Sequence, residues 1–267
     1  MTHIQQARES LARGRVQDAL QLIDGLMQNG RPGAELLLLH AQALLAAGRA
    51  RDAIPAFHRA VEAAPNQGLV DLGLAIACGQ SGDAVAAERA ARSAIAKNYD
   101  NAGSRFVLAR ALLGQGRHEE AEAIFRDVLR LQPDDVQALV NLGESVWQRT
   151  GSAEQASAAI AALSRSASPE LTLFQARLAR ESRGHEAELA MLEQALERQP
   201  SNLPLRLASV RAALMCDAAR ALRHAEIAIR GGGAKSACRR FVRRRAPWRG
   251  ARAGGFGRGR SPARDRA

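Results

Sequence analysis

Residues able to do chemistry are few in this sequence and poorly spaced for it. The six histidines are His3, His40, His58, His118, His185 and His224. A bound metal on a helix needs two imidazoles one turn apart with a carboxylate close by, and no pair here has that spacing. Cys78, Cys216 and Cys238 are too scattered for a zinc site or a disulfide framework, and Cys78 reads as a small core residue. The stretch Gly255-Phe256-Gly257-Arg258-Gly259 has the glycines of a dinucleotide loop, but no strand leads into it and no helix follows. No glycine-rich loop ends in Lys-Ser or Lys-Thr. Glu119-Glu120 reads as the exposed face of a helix. The expectation is a chain with no catalytic residue, no metal and no cofactor.

The elements behind these residues are easier to read. Ala, Leu, Arg, Glu and Gln dominate, all good helix formers, and only nine residues are aromatic. Sparse β-branched residues argue against a sheet. Gly14, Gly48, Gly82 and Gly116 stand 34 residues apart, as do Ala19, Ala53, Ala87 and Ala121, and Ala7, Ala41, Ala75 and Ala109 with Gly143 next in line. Columns held in step over several units mark an internal repeat. The glycine fits the turn after a first helix, where a left-handed residue reverses the chain without Cβ strain. The small residues let paired helices approach closely. Leu44, Leu112 and Val146 from first helices, and Phe57, Phe125, Ile160 and Leu192 from second helices, fill the space around them. Pro65, Pro133 and Pro200 stop second helices.

In this pattern Ala102–Asp135 resembles a tetratricopeptide repeat, a helix–turn–helix unit of the same period. Leu108-Ala109, Leu112, Gly116, Ala121, Phe125 and Pro133 stand where that family has its Leu-Gly, aromatic, turn Gly, Ala, aromatic and Pro. The resemblance runs from Met1 to about Arg230. It implies an all-α, right-handed α-solenoid of about seven hairpins, with units at 1–33, 34–67, 68–101, 102–135, 136–169, 170–202 and 203–230. Departures are His40 in a core Leu column, read as a tolerated buried histidine, Tyr99 for a closing Pro, an insertion near Thr150-Gly151, and a sixth unit lacking its glycine at the usual spacing, with Gly184 one residue late.

The resemblance further implies a concave groove, lined by first helices, that holds an extended or helical segment of another protein. The column Ile4, Leu38, Leu72, Phe106, Val140, Leu173 and Leu207 is apolar in every unit. In the family it faces the groove; the plain alternative is packing between adjacent first helices. Leu11, Leu45, Leu113, Trp147 and Leu214 lie about two turns further along. Gln42, Arg110, Glu144, Arg177 and Arg211 are polar groove candidates, or an ordinary solvated face. Trp147 is the best single contact candidate, since Trp is favoured in binding hot spots. Some members of the family bind a terminal carboxylate through paired Asn and Lys; Lys97 is the one lysine before residue 231, so no such clamp is expected.

The net charge of +11 lies wholly in residues 231–267, which hold eleven Arg, one Lys and one acid; the preceding 230 residues sum to zero. The fold itself is therefore not read as a nucleic-acid binder. This Arg/Gly-rich tail is expected to be disordered. It reads as an RNA-binding arm with Phe241, Trp248 and Phe256 among its arginines, as the out-of-frame or truncated end of a GC-rich bacterial gene, or as an anchor on anionic membranes. Under the second reading the chain would be the repeat half of an enzyme, of the iron/2-oxoglutarate oxygenase or sulfotransferase type, and the last helix would expose Ala221, Ala225 and Ala228 and invite weak self-association. The N-terminus lacks an apolar signal core and no apolar run could span a membrane, so the sequence predicts a cytoplasmic protein. The leading reading is a scaffold that binds a protein or peptide segment.

Overall fold

The computed structural model describes residues 3–28, 32–164 and 168–230. These form fourteen helices and no strand. The hairpins are α1 (His3–Ala12) with α2 (Val16–Gln28), α3 (Ala34–Ala46) with α4 (Ala50–Ala63), α5 (Gly68–Ser81) with α6 (Ala84–Ala96), α7 (Ala102–Gly114) with α8 (His118–Leu131), and α9 (Val136–Thr150) with α10 (Ala153–Ala161). Then come α11 (Pro169–Arg183), α12 (His185–Arg198), α13 (Leu203–Cys216) and α14 (Ala218–Arg230). The architecture is an all-α repeat solenoid. It divides into two compact units, Met1–Phe174 and Gln175–Ala267.

The helices begin and end for local reasons. Asp83, Asp135, Ser152 and Asn202 each accept a hydrogen bond from a backbone N–H of the first turn that follows. Asn101 and Ser104 form a capping box that starts α7. The turn glycines are left-handed throughout: Gly14, Gly48, Gly82 and Gly116 have φ between 74° and 93°, and Gly151, displaced by the inserted residue, has φ 67°. In the sixth hairpin Gly184 reverses the chain at φ 87° just before α12. Pro65, Pro133 and Pro200 each stand two residues past the end of a second helix. Where Tyr99 replaces the proline, Asn98 takes the left-handed turn at φ 62° and the Tyr99 N–H returns to the Ala94 carbonyl.

In the first unit each helix packs on the next in sequence. The small-residue columns carry the contact: Ala7, Ala41, Ala75 and Ala109, with Ala19, Ala53, Ala87 and Ala121, are fully or almost fully buried. Phe57, Phe125, Leu112 and Ile160 fill the space between them with no exposure. Cys78 is buried among them, and burial pushes its thiol pKa up. In the second unit α12 packs on α13 and α13 on α14. Ala221, Ala225 and Ala228 are buried rather than exposed, because α14 turns this face into its hairpin; apolar exposure there falls on Leu214, Met215 and Ile227.

Polar brackets tie successive hairpins together. The Glu88 carboxylate on α6 accepts hydrogen bonds from Gln115 Nε2 at 2.8 Å, from Arg117 Nη1 at 2.8 Å and from Arg92 Nε at 2.9 Å. Gln115 and Arg117 belong to the next hairpin. Glu122 on α8 receives Arg149 Nε from α9 at 2.9 Å in the same manner. Hydrogen bonding by Gln115 above all, joined by Arg92 and Arg117, lowers the Glu88 pKa from 4.5 to about 2. A carboxyl depressed in the folded state stabilises fully above its unfolded pKa and loses that contribution as pH falls toward the folded value. Glu88→Gln is therefore expected to cost about 1–3 kcal/mol at neutral pH. The difference from wild type should shrink between pH 4.5 and about 2, measured by urea unfolding across that range. A difference independent of pH would show that the bracket contributes nothing through the charge of Glu88.

Candidate functional site

The odd-numbered helices of the first unit form one wall. α1 touches α3, α3 touches α5, α5 touches α7 and α7 touches α9, whereas among the described residues no two even-numbered helices touch. A layer whose members crowd together while the opposite layer spreads is the inner side of a curve. The first helices therefore line the concave face of this unit, as the resemblance implied.

On this wall the apolar column is neither buried nor free. Ile4, Leu38, Leu72, Phe106, Val140 and Leu173 are all half-buried, so each leaves part of its surface open. Phe106 is anchored on the core: its ring meets that of Phe125 edge-on, with centroids 5.8 Å apart and planes at 70°. Leu45, Leu113 and Trp147, two turns further along, are also half-buried. Gln42 and Arg110 are exposed and Glu144 is half-buried. The remaining candidates, Arg177 and Arg211, are exposed side chains of the second unit, as is Leu214.

The sequence reading missed a pocket on this wall. In the column Leu11, Leu45, Leu113, Trp147, the third hairpin has Gly79, which contributes no side chain. A cavity of about 230 Å³ opens there between α5, the start of α6 and α7. Ala75, Ala84, Ala87 and Ala111 line it together with Ile76 and Val107, and Gly79, Gln80 and Arg110 also border it. The signal was present as a gap in an otherwise bulky column.

Several charges elsewhere are engaged. Arg8 pairs with Glu35 at 2.7 Å, and Arg105 donates to both oxygens of Asp100 at 2.7 and 2.8 Å, holding that carboxyl below its usual range. His40 is half-buried rather than buried, 4.0 Å from Asp24, with its pKa lowered chiefly by burial. In the second unit Arg206 Nη1 lies 3.1 Å from His224 Nδ1, and His224 Nε2 lies 3.0 Å from Glu193. Arginine can only donate, so Nδ1 accepts from it and Nε2 donates to Glu193. No nucleophile joins this chain of contacts. Among the described residues no three metal-ligating side chains gather, and no helix is long and apolar enough to cross a membrane. The stretch from Gly231 onward, with the RNA-binding, membrane-anchor and truncated-enzyme readings and Cys238, lies outside the described residues.

Comparison with known proteins agrees with this geometry. Family models described as tetratricopeptide repeat match residues 4–68, 38–102 and 79–143, which together span more than half of the chain. Among solved structures, TTC0263, a thermophilic TPR protein of Thermus thermophilus, is 23% identical with a TM-score of 0.52, over 68% of this chain and 100% of that one. A tetratricopeptide repeat protein from Parabacteroides merdae ATCC 43184 is 14% identical with a TM-score of 0.60, over 79% and 82% of the two chains. YrrB, described as a TPR protein with an unusual peptide-binding site, is 15% identical with a TM-score of 0.50, over 70% and 96%. At these identities the likeness shows the fold alone. Comparison with curated proteins gives no significant match.

Proposed function

Because this chain belongs to the tetratricopeptide repeat family, as models matching more than half of it show, we propose that it is a protein-interaction scaffold, not an enzyme, whose first unit holds a partner segment against the concave wall of α3, α5, α7 and α9. One observation carries the reading. A column of large apolar side chains runs along the inner wall, and each keeps part of its surface open where complete packing would have buried it. Apolar area left in water is a cost that a partner's apolar side chains remove, at roughly 25 cal/mol per Å². The segment is apolar and either extended or helical. Leu38, Leu72, Phe106 and Val140 meet it along one line, with Leu45, Leu113 and Trp147 along a second and Gln42 and Glu144 as polar contacts.

Selection of random linear peptides displayed on phage against the full chain tests this. The selected peptides should lose about tenfold or more in affinity to Phe106→Ala with Trp147→Ala, since large aromatic anchors dominate such interfaces. Circular dichroism establishes that the double variant is folded. Equal affinity in a folded double variant would put the binding site elsewhere.

A further inference from the structure

We infer that the Gly79 cavity is a specificity pocket for a partner segment that presents a leucine-sized or aromatic side chain next to a carboxylate. The inference rests on the concave wall being the partner site and names what that site selects.

The pocket exists because glycines and alanines line it where larger side chains would fill the space. A Cβ at Gly79 would meet only the Ala87 methyl, at 3.8 Å, so the glycine is not required by packing and leaves the space open. Gly114 closes against Ala84, which a Cβ would approach to 3.2 Å. The surrounding methyls belong to Ala75, Ala84, Ala87 and Ala111, and Ile76 and Val107 flank them. A cavity of about 150 Å³ lined by apolar side chains is enough to hold a benzene ring. The 230 Å³ here therefore accepts a phenyl or isobutyl group. The site is fixed in place from behind, since Gln115 Nε2 donates to the Ala84 carbonyl at 3.2 Å and to Glu88, joining α6 to the end of α7.

Charge decides what accompanies the apolar group. Arg110 borders the cavity from α7, is exposed, and makes no ion pair or side-chain hydrogen bond among the described residues. The nearby carboxylates are committed: Asp83 caps α6, and Glu88 is held by Gln115, Arg92 and Arg117. A guanidinium outside any ion pair beside an apolar cavity complements a carboxylate beside an apolar side chain. Exposed Gln80 adds an amide on the same border.

Two small probes separate these elements without needing a natural partner: 3-phenylpropionate, and 3-phenylpropanamide, which has the same shape without charge. Binding to the full chain is followed through the alanine methyl resonances by NMR. Both should shift Ala84, Ala87 and Ala111, with the acid favoured by about two- to fivefold, as expected for an exposed ion pair. Gly79→Leu should abolish both, and Arg110→Gln, a surface change that leaves the fold intact, should make the two probes equal. The pocket inference is overturned if neither probe binds, if Gly79→Leu leaves binding intact, or if the preference for the acid over the amide is the same in wild type and in Arg110→Gln. If the probes fail while selected peptides still depend on Phe106 and Trp147, the scaffold reading stands and only the pocket falls. If the probes bind as expected and no peptide does, the pocket stands alone.

Discussion

Phe125→Ala should lower the unfolding free energy by about 3–5 kcal/mol, the range for removing a fully buried aromatic side chain. The ring has no exposure and sits where α7 and α8 meet. Its edge-on contact with Phe106 adds about 0.5–1.5 kcal/mol beyond area alone. In a solenoid each hairpin is stabilised mostly by its neighbours, so a weak fourth hairpin also weakens its contacts with the third and fifth. The variant should therefore lower the urea midpoint and broaden the transition as the array loses cooperativity. It should also weaken peptide binding, because Phe106 loses the surface that orients it. A loss under about 1 kcal/mol would mean that the cavity collapses freely, against the close packing on which the repeat depends.

Gly143→Leu is the second large effect expected. Gly143 occupies the small-residue column, and even a single Cβ there would lie 2.4 Å from Ile160 Cδ1 and 2.6 Å from Phe174 Cε1. Both neighbours are buried, so neither has room to yield. Overpacking of this kind costs about 1–3 kcal/mol or more, and the roughly 1 kcal/mol gained from better helix propensity than glycine does not offset it. Gly25 provides the contrast. It lies inside α2, and a Cβ there meets nothing within 4 Å. Gly25→Ala should stabilise by about 0.5–1 kcal/mol through propensity alone. Thermal unfolding of the two variants checks both signs. Stabilisation by both would show that the column is not a packing constraint.

The legible parts of this protein are those enforced by steric necessity. Ala41, Ala75, Ala109 and Gly143 could be read as helix-contact positions because no larger side chain fits between two close helices, and the structure buries all four. The turn glycines were readable for the same reason. Asn98 was not anticipated, because asparagine is one of several residues that tolerate a left-handed turn and its type alone does not mark one. The Glu88 bracket was invisible: its partners, 27 to 29 residues away, are a common glutamine and arginine that become distinctive only once α6 and α7 are side by side. Ala221, Ala225 and Ala228 were misread because alanines on a last helix look like an exposed edge until the hairpin closes over them. The pocket was missed for a different reason. Sequence reading looks for residues that are present, and the Gly79 cavity is made by a side chain that is absent from a column.

The central claim is that a partner segment lies on the first helices of the first unit. Methyl NMR of the full chain, titrated with a peptide selected on it, tests this most directly. Shifts are expected at Leu38, Leu72, Leu113 and Val140 on the odd-numbered helices, while the exposed methyls of Val85 on α6 and Leu131 on α8 stay unmoved. Shifts confined to Val85 and Leu131, with the concave column silent, would contradict the account.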